Sequence, residues 1–149
     1  MKKLAIALGF LVTLGANSVF AGNENGTVSP RVLQSFQKDF ATATEVSWDS
    51  GKNFFRAAFT YSGQKVFAFY SPEGDLISVA RYINTMQLPL RLFSNLKDRY
   101  SKYWISDLYE VNGNSGTRYY VTVENAETKM VLSSGIDGIW SLVNKNKKV

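Results

Sequence analysis

Neither cysteine nor histidine occurs anywhere in the 149 residues. Without cysteine there can be no disulfide, no thiolate metal ligand and no lipid-modified cysteine of the kind that anchors bacterial lipoproteins. Without histidine the Ser-His-Asp and Cys-His nucleophilic sets are gone, as are Cys/His zinc sites. The one side chain that titrates unperturbed near neutral pH is missing too. Proline is scarce, three in all, and each falls at a helix start or a turn: Pro30, Pro72 and Pro89. There is no Gly-rich phosphate loop. Long apolar runs are also lacking. The longest, Leu4–Leu14, falls short of the ~20 residues that span a bilayer. Nor is the charge lopsided enough for strong nucleic-acid binding. Lys+Arg is 17 against 12 Asp+Glu, whereas nucleic-acid binders carry a larger, clustered excess.

What the first residues do carry is a processing signal. Lys2 and Lys3 precede the short apolar run, and Val19-Phe20-Ala21 places small residues where a signal peptidase reads. Cleavage is expected after Ala21, giving an exported, soluble protein in the periplasm or outside the cell, without a stable membrane anchor. Losing Lys2 and Lys3 leaves a mild surplus of three positive charges. Small exported domains often rely on disulfides; this one must rest on its core. The 128 residues after Ala21 fit one domain.

The most informative stretch is Asn53–Leu76, dense in aromatic and apolar residues and broken at Ser62-Gly63 and Pro72-Glu73-Gly74. It reads as strands Asn53–Tyr61 and Gln64–Tyr70, a turn over Ser71–Asp75, and a further strand Leu76–Ile83. A two-residue loop at Ser62-Gly63 sets Phe59 opposite Val66, Ala57 opposite Ala68 and Phe55 opposite Tyr70. Those six share one face. Phe54, Arg56, Ala58, Phe67 and Phe69 form the other.

The pattern then returns 64 positions later. Phe55, Ala57 and Phe59 map onto Tyr119, Val121 and Val123. Lys65–Ala68 maps onto Lys129–Leu132, Gly74 onto Gly138 and Leu76 onto Trp140. Upstream, Ser29-Pro30 signals a helix start, with Val32, Leu33, Phe36 and Phe40 at helical spacing. A second helix opens at Pro89, with Leu92, Phe93, Leu96 and Tyr100 displaced by 60 positions. The difference of four residues points to an insertion at Asn112–Gly116. The remaining strands are Val46–Trp48, Tyr103–Val111, Arg118–Glu124, Thr128–Ser134 and Ile139–Val143.

The expected organisation is a signal peptide (1–21), a flexible N-terminus (22–28), a single domain (29–143) and a basic tail (144–149). The domain is of the α+β class. It holds two tandem α-β-β-β-β repeats, 29–83 and 88–143, forming one antiparallel sheet of about eight strands with both helices on one face. An antiparallel sheet can leave its second face to solvent. In the second repeat that face reads Arg118, Tyr120, Thr122, Glu124, Lys129, Val131 and Ser133, ordinary solvent chemistry. In the first it reads Phe54, Arg56, Ala58, Lys65, Phe67 and Phe69, unusually aromatic for a face left to water.

In sequence order, Val46-Ser47-Trp48, Phe55-Arg56-Ala57-Ala58-Phe59, Gly63-Gln64-Lys65-Val66, Tyr70-Ser71-Pro72-Glu73-Gly74 and Leu88-Pro89 resemble the exported PepSY-like proteins of Bacteroidetes. These have a fold like that of β-lactamase inhibitor protein. The resemblance covers about residues 29 to 143. Gly135-Ile136-Asp137-Gly138 departs from it by lacking the proline, and the Asn112–Gly116 insertion is longer than usual. The resemblance implies a non-enzymatic periplasmic or secreted protein with inhibitor-like protein binding.

Chemistry by carboxylates alone is the enzymatic alternative. Glu73, Asp75 and Asp137 offer too few oxygens for a calcium loop and suit solvated turns better. Glu45 and Asp49 flank Trp48 as a glycosidase pair would, and equally as solvated strand ends. Asn25-Gly26-Thr27 fits a glycosylation sequon that a bacterial exporter would not ordinarily use. The remaining candidates are Phe54, Arg56, Phe67 and Phe69, with Tyr120 from the second repeat. Aromatics and Arg carry binding energy at interfaces; the same residues could instead pack structurally. The expectation is a binding protein, not an enzyme, without metal or cofactor, taking a protein or peptide on the uncovered sheet face. The alternative is a periplasmic carrier of a small apolar ligand.

Overall fold

The computed structural model describes residues 27–135 and 137–149. The expected leader, its cleavage site and the stretch up to residue 26 lie outside the described residues. Ser29 caps the first helix, its Oγ accepting from the Val32 N–H at 3.3 Å, and Pro30 occupies the first turn, where its missing N–H costs nothing. That helix is α1 (Pro30–Asp39). Strands β1 (Thr44–Ser50), β2 (Phe55–Tyr61), β3 (Gln64–Tyr70) and β4 (Leu76–Tyr82) follow. After a 3₁₀ turn at Thr85–Gln87 come α2 (Leu90–Arg99), β5 (Trp104–Gly113), β6 (Gly116–Glu124), β7 (Thr128–Ser134) and β8 (Ser141–Lys147). The strands form one open sheet of eight, ordered as in the sequence. Each repeat is thus one helix and four strands, as the duplicated pattern requires.

The chain divides into two compact units. Among the described residues one holds 27–81 with Asn112–Ser115; the other holds Tyr82–Val111 with the residues from Gly116 onward. In the first, β2 and β3 pair with Phe55↔Tyr70, Ala57↔Ala68 and Phe59↔Val66, the register that a Ser62-Gly63 loop dictates. Both loop residues have positive φ (49° and 76°), the conformation that matches the strands' own twist. Val32 and Phe36 of α1 pack on Ala57, Phe59, Val66, Ala68 and Tyr70. The Phe36 ring meets Phe59 edge-on at 5.0 Å and Trp48 at 5.2 Å, and each buried ring adds about 1.5–3 kcal/mol through area removed from water. Leu33, expected on the apolar stripe, is 45% exposed. At 100° per residue it points away from the Val32–Phe36 line.

In the second unit Leu92 and Leu96 of α2 pack on Tyr119, Val121, Val123, Met130, Leu132 and Trp140. These are the counterparts of the first cluster at the 60- and 64-residue offsets, so the repetition extends to the core. The Trp140 indole N–H donates to the Leu92 carbonyl at 3.0 Å, tying the last turn to the helix.

Two segments differ from expectation. The four inserted residues are not a loose loop: they lengthen β5 and β6 to ten and nine residues, with a turn at Asn114-Ser115. The expected tail is largely strand, because β8 starts at Ser141 and continues to Lys147, pairing Lys145 with Met130 and Lys147 with Thr128. A run of Lys and Asn reads as solvated from composition, yet an edge strand tolerates it, since Lys on an edge discourages further pairing.

Candidate functional site

The β2–β3 register fixes the reverse face of the first unit. Arg56 pairs with Phe69 and Ala58 with Phe67, and β4 adds Ser78 opposite Phe69 and Ala80 opposite Phe67. Phe54 stands just before β2. Its ring lies over Gly51, where a Cβ would collide with it, and the Gly51 N–H donates to the Phe54 carbonyl at 2.9 Å. Phe54 and Phe69 meet at 6.1 Å between centroids. The Arg56 guanidinium lies 5.8 Å from the Phe67 centroid while its Nε donates to Asp49 Oδ2 at 3.1 Å. Arg56 is therefore aimed by a carboxylate on one side and steadied by a ring below. Four of the five candidate residues, Phe54, Arg56, Phe67 and Phe69, are brought together in this way.

None of these rings belongs to either helix-packed cluster. In the 149-residue chain Phe54 and Phe67 are nevertheless 7% exposed and Phe69 4%. Phe54 and Phe69 lie against each other, and the Arg56 guanidinium lies over Phe67.

Tyr120 lies in the second unit. It is 4% exposed, and burial pushes its hydroxyl pKa upward against the opposing pull of Arg118. Thr122 and Val131, opposite each other on the same face, are buried as well. The solvent chemistry expected for this face is thus corrected. Tyr and Thr present apolar bodies with polar tips, and a polar count along the strand misses the bodies.

At the end of the same face Glu124 gathers charge. Lys148 Nζ lies 2.6 Å from its Oε2 and Lys129 Nζ 3.5 Å from its Oε1. Hydrogen bonds from Lys148 and Ser106 hold the carboxyl down at about pH 2, against the opposing effect of burial. The Lys148 ammonium also lies 4.7 Å from the Trp104 ring centroid. Nearby Asp107 is shifted the other way, raised mainly by burial. Sequence reasoning missed this cluster. Glu124 and Lys129 can be paired from the hairpin, but nothing in the sequence brings Lys148 to Trp104, 44 positions away.

Glu45 and Asp49 have local partners. Glu45 accepts from the Thr60 hydroxyl at 2.8 Å, and Asp49 holds Arg56. Glu73 and Asp75 sit exposed in the Ser71–Asp75 turn, closed by the Ser71 N–H to the Asp75 carbonyl at 2.9 Å. Among the described residues no group of three or more carboxylates converges as a metal site would require.

The fold is shared with solved structures of Bacteroides proteins. A candidate periplasmic protein of Bacteroides eggerthii superposes with TM-score 0.73 at 14% identity, covering 82% of this chain and 90% of that one. A DUF2874 family protein of Bacteroides ovatus gives 0.71 at 17% identity, covering 81% and 88%. A BLIP-like protein of Bacteroides fragilis gives 0.66 at 17%, covering 80% and 85%. At these identities the likeness shows the fold, that of β-lactamase inhibitor protein-like proteins, and shows it over nearly the whole of each neighbour. No family model matches the sequence, and no curated protein matches it.

Proposed function

We propose that this chain is an exported, non-enzymatic binding protein that takes a protein or peptide on the sheet face opposite the one its helices pack on. The observation that carries the reading is the cluster of Phe54, Phe67 and Phe69 around Arg56. It is an aromatic–guanidinium cluster that neither helix-packed cluster includes, 4–7% exposed at its rings in the 149-residue chain, and aromatics with Arg are the side chains that anchor protein interfaces. The periplasmic and BLIP-like neighbours support export and protein binding by analogy of fold. The form that binds is the leader-free chain, residues 22–149.

The test is the leader-free Phe67→Ser/Phe69→Ser variant, compared with the parent by thermal unfolding and by quantitative capture of host periplasmic proteins. The reading expects a cooperative transition within about 5 °C of the parent and at least tenfold weaker capture. Two core phenylalanines would instead cost about 6–10 kcal/mol and abolish the transition. That result would make the rings structural. A small apolar molecule copurifying from the native host, seen by native mass spectrometry in place of a polypeptide, would replace this reading with that of a carrier.

A further inference from the structure

The Glu124 corner has the composition of a cation receptor. Glu124 keeps only 13% of its side chain exposed and is braced by the Ser106 hydrogen bond. Trp104, by contrast, leaves 53% of itself to solvent and presents its ring to an ammonium. A carboxylate and an indole face that both reach one ammonium recognise an alkylammonium, because the ring quadrupole and the anion favour the same charge. The group seen there is the chain's own. Lys148 follows directly on edge strand β8 and is held by its backbone N–H to the Glu127 carbonyl at 2.7 Å. Lys148 is 32% exposed at its side chain, and an ion pair and a cation–π contact of that exposure are together worth about tenfold in an equilibrium constant. A lysine delivered by a larger interface outcompetes so weak an internal occupant.

We propose that Trp104 and Glu124 form a binding site for the lysine side chain of a protein or peptide partner, and that Lys148 occupies it in cis until that partner displaces it. Charge complementarity selects the occupant: the corner is built around an anion and already receives a lysine. Lys129, on the far carboxylate oxygen, keeps Glu124 ionised and leaves Oε2 for the incoming ammonium.

The probe is N-acetyl-lysine N-methylamide, titrated into the leader-free protein while the backbone amide resonances of β5 and β6, present in every variant, are followed. Lys148→Ala empties the site and should show a saturable shift, with affinity about tenfold above the parent. Lys148→Ala/Glu124→Gln and Lys148→Ala/Trp104→Leu should each lose that gain. Trp104 is exposed enough for its replacement to leave the fold intact even if the Glu124 variant disturbs it. Identical titration curves for Lys148→Ala and the Trp104 double variant, or no saturable shift in Lys148→Ala, would overturn the proposal. The norleucine analogue of the probe should give no shift; an equal shift would mean the corner reads an apolar chain and not a cation.

Discussion

Replacing Phe36 with alanine should remove more stability than any other single change in α1. The ring is 7% exposed and meets four others: Phe59 at 5.0 Å, Trp48 at 5.2 Å, Phe40 at 5.6 Å and Tyr70 at 6.4 Å. Truncating a buried phenylalanine costs about 3–5 kcal/mol from lost transfer energy and the cavity left behind. The edge-on pairs each carry about 0.5–1.5 kcal/mol beyond area, but they share one ring and do not add. A loss of about 4 kcal/mol follows, a large part of the ~5–15 kcal/mol that holds a domain of this size folded. With a urea slope of about 1–3 kcal/mol per molar, the unfolding midpoint should fall by about 1.3–4 M. Trp48 is the reporter, since its ring loses a neighbour and its fluorescence follows the same half of the chain. Gln37→Ala, exposed on the same helix, should change the midpoint by no more than about 0.5 kcal/mol equivalent. A Phe36→Ala loss below about 1 kcal/mol would refute the packing argument, because a ring so enclosed cannot leave without a void.

Four smaller tests follow from single contacts. Ser62→Asn should stabilise the β2–β3 hairpin by about 0.5 kcal/mol in thermal unfolding, because Asn adopts positive φ more readily than Ser in this turn. Gly63→Ala should destabilise by about 1 kcal/mol through backbone strain alone, since its φ is +76° and nothing lies within 4 Å of the added methyl. Tyr70→Phe should cost about 1–2 kcal/mol by losing the hydroxyl's bond to Asp39 at 3.0 Å while keeping the ring. Burial and that bond push the Tyr70 pKa upward, so in the parent the hydroxyl should resist ionisation above pH ~10 until the chain unfolds. The Glu124 carboxyl is depressed from 4.5 to about 2. Its contribution is therefore present above pH 4.5 and lost as the pH falls toward 2, about 1 kcal/mol after solvent screening. Glu124→Gln should flatten that part of the stability profile.

The architecture was legible because its determinants are local. Ser62-Gly63 specifies a tight turn, the turn specifies register, and register decides which of two alternating rows meets the helix. The offsets of 60 and 64 then carry Val32 and Phe36 onto Leu92 and Leu96, and Ala57 and Phe59 onto Val121 and Val123. The 3₁₀ turn was missed although Asn84 and Gln87 cap it reciprocally, a spacing that local rules can find. The strand assignment of Asn144–Lys147 was not legible, because pairing with β7 outweighs a composition that looks solvated. Of the candidate site, the row of Phe54, Arg56, Phe67 and Phe69 followed from alternation. The burial of Tyr120 and Thr122 did not, since it depends on what lies against the face. The Trp104–Glu124–Lys148 corner rests on a long-range meeting of three segments that no periodicity encodes.

If the sheet face opposite the helices takes a partner, its rings must be open to solvent once the leader is gone. Hydroxyl-radical footprinting of the leader-free chain tests it directly, because side-chain oxidation follows solvent access. Phe54, Phe67 and Phe69 should be modified several-fold faster than Phe59 and Tyr70, which lie fully enclosed beneath α1, and bound partner should suppress the difference. Equal protection of all five rings in the free leader-free protein would contradict the claim.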